Sequence, residues 1–461
     1  MPLILGTNSI KDTGFDVANS VRLDNNAYFN RTFGSGGSVK KWTWSSWFKV
    51  SYIGGNEQVF FSHFDDSSNF SYIKINGNNK LEFRAKTSGS TILRYTLTRR
   101  FRDPSAFMHL VVALDTSLAT STDRIKIWIN GIRETAFDTS TAPAQDAVTL
   151  INSAVAHEIG HAGDGSDYFQ GYMSQVCFVD NAQYDADQFG EFDSDSPTIW
   201  KPKDVSGLST GATSFFLDFA DSGDLGDDES GNTNDFTENN LAATDQTTDT
   251  CTNNFATLNS LINFNSGVFS EGNLAITSGD DTVSTIGLTS GRWYWEAQRT
   301  NTTNEAHIGI GVSKGFFSAT SVVSSGDRIY VRGGATFVSA VSNLGILTFA
   351  SNSGTPATIS NGDVIGFYLD LESSTKNITV KKNDGATPII DIDLTYSGEE
   401  PIFPFCRMNS GCASSWNFGN PIASLSSANA DANGFGSFEF NPTKGGVDYF
   451  AICTKNLAEF G

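Results

Sequence analysis

Residues His157-Glu158-Ile159-Gly160-His161 have the types and spacing of an HExxH zinc-protease centre. On a helix, positions i and i+4 share a face, so two imidazoles reach one metal while the Glu serves as base. On a strand the same two residues stand roughly 13 Å apart, at about 3.3 Å per residue. A single zinc cannot take both from there without a sharp turn. The neighbourhood disfavours a helix: Thr149, Ile151 and Val155 precede the motif, Gly160 lies inside it, and Gly163 and Gly165 follow. Each glycine costs a helix about 1 kcal/mol against alanine. A metzincin-type continuation needs Gly at 164 and His at 167, where this chain has Asp164 and Asp167. The segment is expected to be a strand ending in a glycine-rich loop. His161, Asp164 and Asp167 in that loop are the candidate ligand-binding residues. No catalytic residue and no metal ligand is assigned.

Other chemistry-bearing residues have plainer readings. Asp221, Asp224, Asp227 and Asp228 are hard oxygen donors suited to calcium, but their spacing is not that of an EF-hand and reads as a solvated acidic loop. No GxSxG elbow prepares a nucleophilic serine. Glu399 and Glu400 stand by a turn before Pro401, where carboxylates are solvated. Trp42 and Trp44 share one strand face and Trp47 takes the other; Trp293 and Trp295 share a face opposite Tyr294 and Glu296. Core packing is expected for most of these tryptophans. His109 falls in an apolar strand and is expected to be a satisfied core histidine.

The elements around these residues are short strands bounded by Gly, Asn, Asp and Ser. KKWTWSSWFKV alternates aromatic and polar residues, and YIKINGNNKLEFRA reads as a hairpin. RIKIWINGIRETAF turns at Asn130-Gly131, a strong hairpin signal. One helical turn is expected near Asp185 to Phe189. The fold class is all-β: two antiparallel β-sandwich (jelly-roll) domains in tandem. The expected boundaries are 1–199 for the first sandwich and 200–250 for an acidic Asn/Asp/Gly-rich connecting segment with a strand. Residues 251–425 form the second sandwich, and 426–461 a tail packing on a domain.

Composition narrows the partners. The chain has 461 residues, 39% hydrophobic and 18% charged, with 36 Phe and a net charge of −21. Such a charge repels phosphate backbones and anionic membranes, so neither nucleic acid nor membrane insertion is expected. The five cysteines are scattered and form no framework; free buried thiols are expected. The segment MPLILGTNSIKDTGF lacks a basic region and a long apolar run, which reads as no signal peptide.

FMHLVVALD, KIWINGI, Ile159-Gly160 and YFQGYMSQVCF occur in the order of the laminin-G/concanavalin-type lectin sandwich, which the first domain resembles over about Asn19 to Phe192. The second, over about Cys251 to Pro421, looks like a SPRY sandwich through GNL, SGRWYWE, HIGIGV, GDVIGFYLDL, KKNDG, IFPF and WNFG. The arrangement also resembles virion proteins of tailed, particularly marine, phages. YFNRTF, KKWTWSSWFKV, FRDPSAFMHLVVALDTSLATSTDRIKIWINGIRETAF, FGEFDSDSPTIWKPK, SGNTNDFTENN and NNFATLN carry that likeness.

The resemblance implies a non-enzymatic, multicopy protein of the virion surface or tail, made in a host cytoplasm. Its partners would be other virion proteins and a host-surface glycan or protein. A capsid-decoration or tail-scaffold protein is the alternative, and a glycan depolymerase a third. Laminin-G domains often bind calcium through loop carboxylates, but none of those ligands maps onto a numbered residue here, so no cofactor is assigned.

Overall fold

Alternation along the strand Lys41–Val50 sets the architecture of the first unit. Trp42, Trp44, Phe48 and Val50 point into one core, while Thr43, Ser45, Trp47 and Lys49 fall on the other face. This computed structural model describes residues 13–24, 26–163, 165, 167–208, 211–262, 267–278, 281–302, 306–312, 327–332 and 337–461. Asp164, and residues 1–12 with most of the leader reading, lie outside the described residues. The chain divides into two compact units, the first Thr13–Thr252 and the second holding Asn253–Gly461.

The first unit is a sandwich of two eight-stranded antiparallel sheets. In sheet I, Lys41–Val50 lies between Met108–Asp115 and Gly171–Asp180. In sheet II, Ala156–Ile159 lies between Tyr28–Thr32 and Gln58–Asp66, and the strands Asn69–Ile75, Leu81–Thr87 and Ser90–Leu97 continue outward. Aromatic rings fill the space between: Trp44 stacks on Phe61 at 4.7 Å, and Trp42 meets Phe83 edge-on at 5.6 Å.

The stretch 200–250 is not a connecting segment. It is part of the first sandwich and corrects the expected boundary. Phe215–Leu217 pairs with Gly171–Asp180, Thr237–Asn239 with Tyr28–Thr32, and Gln246–Thr247 with Ser20–Leu23. Phe215, Leu217, Phe219, Leu225 and Phe236 enter the core. Its acidic residues are used inside the fold. Asp228 accepts from the backbone N–H of Phe216 and Asn234, and Asp249 forms a fully buried ion pair with Lys49 at 2.5 Å.

Among its described residues, the second unit has a nine-stranded and a five-stranded sheet. Trp293 and Trp295 enter its core, while Tyr294 and Glu296 occupy the opposite face. The buried Glu296 carboxylate accepts from Tyr294, Asn417 and the N–H groups of Glu439 and Phe440. Phe450–Ala451 joins the strand Arg292–Thr302 in parallel, and the helix Thr454–Phe460 inserts Leu457 into the core. All five cysteines are free thiols, four of them buried.

Candidate functional site

The two histidines of the HEIGH segment part company because the segment is a strand. In Ala156–Ile159, His157 and Ile159 face the core while Glu158 faces outward. His157 is fully buried and satisfied at both nitrogens: Nδ1 donates to the Val155 carbonyl at 2.9 Å and Nε2 accepts from Asn152 N–H at 3.0 Å. Burial pulls its pKa down to about 4, so it is neutral at pH 7. A positive φ of 85° at Gly160 then turns the chain, and His161 emerges over the outer face of sheet II. No metal can bridge the pair.

The turn is held firmly. Gly160 N–H donates to the Phe60 carbonyl, Phe169 N–H closes back on the Gly160 carbonyl at 2.8 Å, and the Ser62 hydroxyl donates to the His161 carbonyl at 2.7 Å. Phe169 anchors the far end of the loop in the core. His161 stacks on Tyr168 with centroids 4.2 Å apart, and Tyr28 packs on it at 4.8 Å. Nδ1 of His161 is 2.9 Å from Oε2 of Glu158, yet the approach is out of line for a hydrogen bond. Both His161 nitrogens and that carboxylate oxygen are buried from solvent without a hydrogen-bond partner. Burial, then Glu158 and Tyr168, keep the Tyr28 phenol above its usual pKa, so it is a hydroxyl donor.

Asp167 engages a different group. Its carboxylate lies 3.4 Å from the Lys74 ammonium, which also pairs with Glu57. Lys74 sits 3.9 Å from the Tyr72 ring centroid. Burial disfavours its charge, but Tyr72, Glu57 and Asp167 outweigh burial and raise its pKa. Glu57 and Asp167 also contact each other, and burial, then Asp167, raises the Glu57 pKa despite the Lys74 ammonium beside it. Among the described residues, no set of three His, Cys, Asp or Glu side chains is gathered to hold a metal ion. In the acidic loop, desolvation raises the pKa of Asp224 and Asp227, followed by repulsion from Glu238 and Asp235 on Asp224 and from Asp224 and Asp235 on Asp227, while Asp228 serves backbone donors.

Strand register extends this surface. Asn30, Glu158, Ser62, Tyr72, Arg84 and Arg94 are successive cross-strand partners, so they form one polar row across the outer face of sheet II. Beside it, Glu82 accepts from Arg94, Thr96 and Tyr72. Burial raises its pKa, and these donors more than reverse that. Glu82 thus has Arg94 as its cation, while Glu57 and Asp167 share Lys74. The sequence reading named His161, Asp164 and Asp167 but not Tyr28, Tyr168 and Lys74, which surround the loop. Tyr28 and Lys74 are remote in sequence, and only sheet pairing brings them to the loop.

The profile of the concanavalin A-like lectin/glucanases superfamily (Laminin_G_3) matches residues 21–187. No curated protein matches the chain. Among solved structures, the chain is similar to domains LG4-5 of the mouse laminin α1 chain. The identity is 10%, coverage 95% of this chain and 97% of that one, and the TM-score 0.31. It is also similar to a heptameric SAP-like pentraxin from Limulus polyphemus, at 12% identity, 37% and 80% coverage and a TM-score of 0.29. The SPRY domain of human HERC1 aligns at 16% identity, 31% and 87% coverage and a TM-score of 0.23. At these scores the likenesses assign no residue. The chain is all-β, and its first unit carries a lectin-like sandwich.

Proposed function

We propose that the first unit is a carbohydrate-binding module without catalytic activity, and that it binds through the outer face of sheet II around His161. The observation carrying this reading is the half-buried aromatic pair Tyr28 and Tyr168 packed about His161, beside the Glu158 carboxylate on the outer face of sheet II. Glu158 and its cross-strand neighbour Asn30 supply polar groups for sugar hydroxyls. Aromatic rings beside them offer apolar surface to the C–H faces of a sugar. The lectin-superfamily match over residues 21–187 supports the same class of ligand.

The likeness to tailed-phage virion proteins supports a finer reading: a particle-surface protein presenting this face to a host glycan in many copies. Multiple copies convert a weak single site into useful avidity. A glycan array probed with the full chain tests the binding claim. The expected result is a saccharide signal that falls about tenfold in Tyr168→Ala and Glu158→Gln, roughly 1.4 kcal/mol each. A signal unchanged by both substitutions would place the ligand elsewhere and remove the proposal.

A further inference from the structure

The outer face of sheet I carries a second cleft that the His161 reading does not use. Here residues 181–208 and 211–217 fold back over the sheet. Ala182, Ala186, Phe189, Val205 and Phe216 cover Val111, Ala113, Cys177 and Val179. Where this layer meets the Asn130-Gly131 turn it leaves an open cleft of about 350 Å³. Trp128, Phe192 and Trp200 supply its apolar wall, and Asp185, Asp187 and Glu191 its carboxylates.

Trp200 is fixed in advance. Its Nε1–H donates to Nδ1 of His109 at 3.0 Å, and Nε2 of His109 is 2.8 Å from the Ser45 hydroxyl. Burial lowers the His109 pKa to about 3, so the ring stays neutral and keeps Nδ1 as an acceptor. Two positions give up side chains for the indole: a Cβ on Gly131 or Gly190 would collide with it. Phe192 packs edge-on to Trp200 at 4.9 Å and remains 42% exposed, forming an apolar corner open to solvent. Beside that corner, Nζ of Lys203 lies 3.6 Å from Glu191 and donates to the Asp187 carbonyl at 2.9 Å. Acceptor and donor thus stand side by side.

We infer that this cleft is a second, separate saccharide site that takes a neutral hexose chain. A pyranose has apolar C–H faces for the aromatic corner and vicinal hydroxyls for the adjacent carboxylate and ammonium. The rigid indole reduces the ordering cost of binding. The acidic rim and the net charge of −21 exclude uronic or sulfated chains. Phe192, Trp200, Glu191 and Lys203 all lie beyond the lectin-superfamily match, so the sandwich it describes does not account for them.

The test uses the full chain with 15N-labelled tryptophan, titrated separately with maltoheptaose, cellohexaose and mannohexaose. The Trp200 indole signal is assigned by its loss in Trp200→Phe. The expected result is a saturable shift of that signal with at least one sugar, weakened about tenfold in Phe192→Ala and Glu191→Gln but unaffected by Tyr168→Ala. Calorimetry on the two surface variants gives the same reading if Trp200→Phe fails to fold. No shift with any of the three sugars would overturn the inference. So would a shift that Phe192→Ala and Glu191→Gln leave intact, or one abolished only by Tyr168→Ala. That last outcome would leave the His161 site standing.

Discussion

The two outer faces of the first sandwich are finished in opposite ways. On sheet I, a folded-back apolar layer buries the face, and its polar groups are locked in place: His109 between Ser45 and Trp200, Lys49 against Asp249. On sheet II, the face keeps a polar row from Asn30 to Arg94, and His161, Tyr168 and Tyr28 pack beside Glu158. The aromatic core between them is shared. The first face is therefore closed by apolar packing, while the second presents a row of polar side chains flanked by aromatic rings.

Substitutions should separate the faces sharply. Asp249→Ala leaves the Lys49 ammonium buried without its counter-ion, and losing one partner of a buried pair costs about 3–5 kcal/mol. Chemical denaturation of the first unit should show that loss; a change below about 1 kcal/mol would mean that the buried face is less constrained than described.

Acid should act through the buried histidines. His109 and His157 titrate at about 3 and about 4 in the fold against an ordinary 6.5, because burial disfavours the imidazolium. The unfolded chain takes up protons first, so their contribution is complete above pH 6.5 and is lost as pH falls towards 4. The second unit holds one such group, His307 at about 4, lowered by burial and then by Arg407 and Arg328. Unfolding measured between pH 6.5 and 4 should therefore take up more histidine protons in the first unit. Equal uptake by the two units would contradict this.

The smallest effect belongs to the open face. Asp167→Asn leaves the Lys74 ammonium paired with the more exposed Glu57 and should cost less than about 1 kcal/mol. A larger loss would show that the loop is held by that ion pair rather than by Phe169 and the Gly160 backbone.

Much of this fold can be read from period alone. The two-residue alternation in Lys41–Val50 assigns Trp42 and Trp44 to one face and Trp47 to the other, and the structure has them so. The Asn130-Gly131 turn has positive φ at both residues, as the sequence implies. In the turn at 382–385 the positive φ values fall instead on Asn383 and Asp384. The stretch 200–250 was misleading because Asp and Asn signal loops by composition, yet they also bond buried backbone N–H groups, as Asp228 does. The sites were least legible, since Trp200 reaches His109 across 91 residues and Tyr28 reaches His161 across the sheet.

The central claim, that the His161 face is the ligand-binding face, is tested most directly by imidazole nitrogen resonances. His161 and His157 sit four residues apart, one beside Glu158 on the outer face and one bonded at both nitrogens in the core. Upon addition of a saccharide selected on the array, the His161 ring signals should shift as hydrogen bonds form, while those of His157 stay fixed. Saturable binding that leaves the His161 signals unmoved would contradict the account.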